Sequence, residues 1–169
     1  VFAAGGFHCV IGNPPYIRQE WLAPYKPGFQ REFACYSGTA DAYLYFFERG
    51  LQVLATGGRL GFITSGSFNN ANFAAPFRRW LPTLGRFTYV VNFGENQPFE
   101  DAEMVYPTIS IIRKDTEPRP FRFYFMHGKI PESIPEAVAT DGIDCDDTVF
   151  GQAEWRFQPA PVTALFNRL

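Results

Sequence analysis

Phe7-His8-Cys9-Val10-Ile11-Gly12-Asn13-Pro14-Pro15-Tyr16 is the stretch whose reading decides the fold. Phe7, Cys9, Val10 and Ile11 read as a buried strand. Two prolines stop it, because proline has no N–H to give to a ladder and holds φ at about −65°. Pro15 also pushes Pro14 out of the helical region, so the backbone after Gly12 is extended and its carbonyls point in a fixed direction. The strand end carries one carboxamide, a row of fixed carbonyls and one aromatic ring. In open α/β sheets that end of a strand is where ligands bind.

The order of elements downstream suits such a sheet. Residues 17–38 mix charges with Pro24, Pro27, Gly28 and Gly38 without a sustained period, and read as a long loop of the kind kept for lids or binding surfaces. Thr39 offers an N-cap, Asp41 a first-turn charge, and Tyr43, Phe47, Gly50, Leu51 and Leu54 recur at helical spacing up to Gly57-Gly58. Residues 59–64 form a strand and 65–72 a polar loop. Phe73, Phe77, Trp80 and Leu81 mark a second helix with Pro76 in its first turn. Residues 87–93 and 105–112 read as two strands joined by a polar loop, with Pro107 at an edge or a bulge, and 121–125 as a half-exposed strand. This alternation predicts an α/β fold with a mostly parallel sheet. Residues 128–147, rich in prolines and then acids, read as a solvated connector. Asp141, Asp144, Asp146 and Asp147 have no spacing that would gather them around a metal.

Composition sets the bounds. A chain of 169 residues that is 46% hydrophobic can bury one proper core. Three cysteines with no C-x-x-C pair point to a reduced, intracellular protein with neither a disulfide framework nor a zinc site. No apolar run approaches the roughly 18 residues of a membrane span, and no leader is recognisable, so a cytoplasmic protein without a membrane partner is expected. A net charge of −2 excludes a global nucleic-acid footprint. Contact with DNA phosphates would rest on local residues such as Arg18, Arg31, Arg78 and Arg79, or on other parts of the protein. The chain opens on Val1 and enters a strand within a few residues, which suggests a piece of a longer protein.

The tetrapeptide has a chemistry of its own. The Asn13 carboxamide oxygen and the Pro14 carbonyl are two neighbouring acceptors, which is what an exocyclic amine needs if both its hydrogens are to be held. Holding both disfavours conjugation of the nitrogen lone pair into a ring and frees it as a nucleophile, without a general base acting in the same step. His8 and His127 are therefore read as structural or surface residues. Tyr16 supplies a flat face for stacking, which tolerates any base. A base inside a duplex cannot reach such a pocket and has to be flipped out or already single-stranded. The plain alternative is a strand-terminating turn. Four specified residues arise by chance in on the order of one in a thousand chains of this length, which favours the chemical reading.

With these residues assembled, the chain resembles the gamma-class N6-adenine DNA methyltransferases of the bacterial restriction–modification type. These read Phe-Asp-Val-Val-Ile-Gly-Asn-Pro-Pro-Tyr where this chain has Phe7 to Tyr16, with His8 in place of the usual Asp. The resemblance runs through Asp41-Ala42-Tyr43-Leu44-Tyr45-Phe46-Phe47-Glu48 and residues 57–63 to the strand pair ending near Arg113. It implies the C-terminal half of a Rossmann-like S-adenosylmethionine-dependent methyltransferase sheet, with flanking helices and a terminal β-hairpin. On this reading residues 1–127 are the catalytic half, 128–147 the connector, and 148–169 the start of a target-recognition or other C-terminal module.

The resemblance also implies roles. Asn13 and Pro14 would hold the adenine amine, Tyr16 would stack on the flipped base, and Asn13 and Pro15 would approach the cofactor S-adenosylmethionine. Phe46 would line the cofactor's adenine. Phe99 would close the other face of the base, with Tyr106 as the alternative. Partners would be double-stranded DNA and the N-terminal half of the same protein, with a fused nuclease left open. The glycine-rich cofactor loop is expected upstream of this chain, so residues 1–169 alone should bind S-adenosylmethionine weakly or not at all. Two other readings stand beside this one: a protein-glutamine methyltransferase using the same tetrapeptide, and a catalytically silent DNA-recognition or scaffold subunit.

Overall fold

The computed structural model describes residues 5–99 and 106–157. Six strands make one sheet: β1 (Phe7–Gly12), β2 (Leu54–Ser65), β3 (Arg86–Asn92), β4 (Pro107–Arg113), β5 (Phe121–Phe125) and β6 (Ile143–Cys145), in the spatial order β1-β2-β4-β3-β5-β6. β1 is parallel to β2 and β3 to β5, whereas β4 is antiparallel to both its neighbours. β6 is likewise antiparallel to β5, so two strands are reversed and three of the five pairings are antiparallel where a mostly parallel sheet was expected. β1, β2, β3 and β5 still have their carboxyl ends on a single edge. The expected hairpin is β3–β4, with Asn92 opposite Thr108 and the Phe93 N–H donating to the Pro107 carbonyl over 3.0 Å. Pro107 lies neither on an edge strand nor at a bulge. It is the first residue of an interior strand, where its missing N–H breaks nothing further along the ladder.

The described residues include four α-helices, α1 (Lys26–Glu32), α2 (Ala42–Val53), α3 (Ala75–Trp80) and α4 (Ile134–Asp141). α2 and α3 build the main core. The Phe47 ring sits 5.3 Å from both Phe62 and Phe77 and 5.8 Å from Phe68. A Cβ at Gly50 would overlap Leu60 Cδ1 and come within 3.3 Å of Phe62 Cζ, so only glycine lets α2 lie this close to β2. α2 begins one residue after Asp41 rather than at Thr39. It ends at Val53, before Gly57-Gly58, because Leu54 is already extended and pairs with Phe7.

Residues 17–38 are not all loop, since α1 forms within them. Pro27 is tolerated in its first turn, and its aromatic residues hold it to α2: Phe29 and Phe33 lie 4.6 and 5.0 Å from the Tyr45 ring. β1 also departs from expectation. Among the described residues it pairs on one side only, with β2, and Ile11 is 85% exposed, so this apolar strand is a sheet margin rather than a buried strand.

Residues 128–147, expected as a connector, instead form α4 and β6. The Ser133 hydroxyl caps α4 by accepting from the Glu136 N–H. Arg122 ties the helix to the sheet, donating to the Val138 and Ala139 carbonyls and pairing with Asp144 at 3.3 Å. Val138 packs on the second face of the sheet with Val91, Phe93 and Met126. The other acids have local duties as well: Asp146 accepts from the Thr148 N–H, and Asp147 pairs with Arg86 at 3.2 Å.

Residues 148–157, expected to open a further module, turn back into the main core. The backbone N–H of Trp155 donates to the Asn69 carbonyl over 2.7 Å, and the Trp155 ring meets Phe68, Phe77, Phe87 and Phe150. Residues 158–169 lie outside the described residues. No described helix is long and apolar enough to cross a membrane.

Phe46 and Phe47 are adjacent but differ sharply, one 45% exposed and the other wholly buried. Phe47→Ala should destabilise the domain by about 3–5 kcal/mol, while Phe46→Ala should cost about 1 kcal/mol or less. Urea unfolding of the full protein, followed by near-ultraviolet circular dichroism, measures both.

Candidate active site

The site is built where β1 runs out. Gly12 closes the strand beside Phe62, whose ring would stand 3.3 Å from a Cβ at that position. After it Pro14 is buried, while Asn13 and Pro15 are exposed and Tyr16 is half-buried. Pro14 thus acts as the turn's root, and the side chain of Asn13 stands toward solvent at the carboxyl edge of the sheet. The hydroxyl of Tyr16 is buried and has no hydrogen-bond partner among the described residues. Burial pushes its pKa above the ordinary tyrosine range, so it is a neutral phenol near pH 7. The nearby Tyr43 hydroxyl is also buried, hydrogen-bonded to Ser67 Oγ at 3.2 Å, and pushed upward, chiefly by desolvation.

Beyond Tyr16 the chain is stitched to α2. The Ala42 N–H donates to the Ile17 carbonyl over 3.1 Å, and the Gln19 N–H to Asp41 Oδ1 over 3.3 Å. Between α1 and α2 lies a cavity of about 400 Å³ lined by Pro15, Ile17, Leu22, Phe29, Tyr45 and Phe46 among others. Two of the residues singled out in the sequence, Pro15 and Phe46, therefore meet in one apolar cavity. The helical phase explains it: with Phe47 turned into the core, Phe46 is carried to the outer flank of α2.

Phe99 lies on the loop leaving β3, at the same sheet edge as the turn, and is half-buried; it does not line the Pro15–Phe46 cavity. Tyr106 is 59% exposed and lines a separate cavity of about 480 Å³ with Ser67, Asn69, Asn92 and Trp155. Of the arginines expected near DNA, Arg78 is withdrawn. It is 4% exposed and its guanidinium donates to the carbonyls of Phe68, Ala71 and Ala153, tying the C-terminal segment to the core. Arg18, Arg31 and Arg79 remain at the surface.

One buried charge had no role assigned from sequence. Glu48, 1% exposed, accepts from the N–H groups of Ala34 and Cys35 at 2.9 and 2.8 Å and from Gln52 Nε2 at 3.0 Å. Its signal was legible: a lone acid on an otherwise apolar helix face, seven residues after Asp41.

Comparison with known proteins gives the family. Residues 1–99 match the family described as Eco57I restriction-modification methylase. The chain belongs to that family. Among curated members, it is 32% identical over 177 residues to the type II methyltransferase M.XhoI of Xanthomonas vasicola, covering 96% of this chain and 32% of the relative. It is 30% identical over 108 residues to M.BstVI of Geobacillus stearothermophilus, covering 63% of this chain and 19% of that protein. The chain thus spans about a third or less of the length of these relatives.

Among solved structures, a type I restriction-modification methyltransferase subunit from Streptococcus thermophilus superposes with a TM-score of 0.67 at 17% identity, over 91% of this chain and 38% of that one. A class I S-adenosylmethionine-dependent methyltransferase structure from Listeria monocytogenes gives 0.52 at 18% identity, over 79% and 37%. The fold expected from sequence, an α/β sheet of the class I methyltransferase kind, is the fold found.

Because the Tyr16 hydroxyl is buried without a partner, removing it leaves no other group unpaired. Tyr16→Phe in the full protein should bind a target duplex within about twofold of wild type. Tyr16→Ala, which removes the ring face, should weaken binding by about 1–3 kcal/mol. Fluorescence anisotropy with a labelled duplex separates the two, and equal losses would argue against stacking.

Proposed function

We propose that the protein containing this chain transfers a methyl group from S-adenosylmethionine to the N6 amine of an adenine flipped out of duplex DNA, within a restriction–modification system. The observation that carries the reading is the placement of Asn13-Pro14-Pro15-Tyr16 at the carboxyl end of β1, on the shared sheet edge and beside the cavity that joins Pro15 to Phe46. Membership of a restriction–modification methylase family supports it. So does the shared fold of MmeI, a restriction–modification enzyme solved in complex with DNA, at a TM-score of 0.57.

In this mechanism the Asn13 carboxamide oxygen and the Pro14 carbonyl accept the two hydrogens of the amine. Their pull keeps the nitrogen lone pair out of the ring and directs it along the line of attack. The Pro14 carbonyl is set before the substrate arrives, because Pro14 is buried and the prolines fix the backbone around it, and the exposed Asn13 carboxamide is carried on that backbone. Tyr16 holds one face of the base, and Phe99, on the loop from β3, is assigned the other.

The cavity suits a flat heterocycle: it is apolar, about 400 Å³, and has the exposed face of Phe46 in its lining. Pro15 and Phe46 would hold the adenine end of the cofactor there, with Asn13 near its reacting end. S-adenosylmethionine, when bound, supplies an electrophilic methyl group, and the chain's own part is to orient the amine and exclude water around it. The N-terminal half of the same protein is the proposed partner along the margin of β1, where Ile11 stands exposed.

Asn13→Ala in the full protein should reduce transfer of tritiated methyl groups to duplex DNA by a factor of a hundred or more, on the order of the loss of one preorganised transition-state contact. Its circular dichroism spectrum should stay that of wild type, because Asn13 is exposed. Wild-type activity in this variant would remove the assignment.

A further inference from the structure

α2 carries two carboxylates, Asp41 and Glu48, seven residues apart and so on the same side of the helix two turns along. Both reach beyond the helix, although Glu48 also accepts from Gln52 one turn along it. Asp41 precedes the first helical residue, yet its side chain caps no N–H of α2 and instead accepts from the backbone of Gln19. Glu48 is buried in mid-helix and receives the consecutive N–H groups of Ala34 and Cys35, one on each oxygen. These contacts grip a single stretch of chain, 19–35, at its two ends.

That stretch supplies Leu22, Tyr25, Phe29 and Phe33 to the cavity, while α2 supplies Tyr45 and Phe46. The same helix therefore provides one wall of the cavity and the fasteners of the opposite wall. Just beyond that stretch, the Tyr45 hydroxyl donates to the Ser37 carbonyl over 3.1 Å. A buried carboxylate is costly unless its oxygens are satisfied. Glu48 is fully engaged, so residues 34–35 cannot leave it without stranding a charge in the core. The α1 segment is thereby held as a wall rather than left as a loop.

We propose that Asp41 and Glu48 are positioning residues for cofactor binding, fixing residues 19–35 as the outer wall of the Pro15–Phe46 cavity. The proposal rests on the reading that this cavity takes the adenine end of S-adenosylmethionine. Neither carboxylate touches the cofactor; each acts through the wall it holds. The chemistry predicts a graded response. Asn at position 41 keeps an oxygen acceptor for the Gln19 N–H, whereas Ala does not. Gln at position 48 has one oxygen for two N–H groups and turns its own NH₂ against the other.

The test uses the full-length enzyme, with S-adenosylmethionine affinity by calorimetry and steady-state kinetics on a target duplex. Glu48→Gln and Asp41→Ala should each raise the Kd and KM for S-adenosylmethionine by about tenfold, the size of one lost hydrogen bond to a charged group. The KM for duplex and kcat at saturating cofactor should stay within about threefold of wild type. Asp41→Asn should return the cofactor KM to within about threefold of wild type. Should Glu48→Gln fail to fold, the Asp41 pair carries the same comparison.

Unchanged cofactor affinity in these variants would overturn the positioning role. So would losses spread equally over cofactor, duplex and kcat, which would mark the carboxylates as merely structural. A wild-type enzyme that methylates DNA and binds the cofactor, with insensitive variants, would overturn this inference alone. A wild-type enzyme that binds no S-adenosylmethionine would overturn both it and the function it rests on.

Discussion

A β-ladder cannot continue through two consecutive prolines, and the rest of the site depends on that constraint. Pro14 and Pro15 end β1 after Gly12 and leave the carbonyls of the turn without ladder partners of their own. With Pro14 buried, its carbonyl is anchored in the protein, while Asn13 beside it stands exposed. Because β1, β2, β3 and β5 share a direction, the loops leaving them converge on the edge that the prolines define.

The second layer of organisation is α2. Gly50 lets it settle against Leu60 and Phe62, Phe47 locks it into an aromatic core, and this seating fixes the outward direction of Phe46. Asp41, at the start of α2, and Glu48 then fasten the chain after the Asn13–Tyr16 tetrapeptide as a wall. Core packing and site geometry are therefore not separate here. The rotation that buries Phe47 is the one that offers Phe46 to a ligand, and a shift of α2 would move cavity and turn together.

Much of this was legible in the sequence because the signals were local. The apolar run into Asn-Pro-Pro-Tyr and the spacing of Tyr43, Phe47 and Leu51 each state their structure within a dozen residues. What was not legible depends on distant partners. α1 contains Pro27 and Gly28, which read as loop, and it is a helix because Phe29 and Phe33 find Tyr45. Trp155 reads as the start of something new. In the structure it plugs a core whose other rings, Phe68, Phe77 and Phe87, lie some seventy to ninety residues earlier. α4 was a missed local signal, since Ser133, Pro135 and Glu136 spell a capped helix start. The margin of β1 could not be read at all, because a strand's apolar pattern does not say which of its sides is covered.

The central claim is that the tetrapeptide holds an adenine amine for methylation. The most direct measurement is nucleoside mass spectrometry of duplex DNA incubated with the full-length protein and isotopically labelled S-adenosylmethionine. The account predicts label in N6-methyladenine and in no other nucleoside. Label confined to methylated cytosine, or found only in protein glutamine, would contradict it.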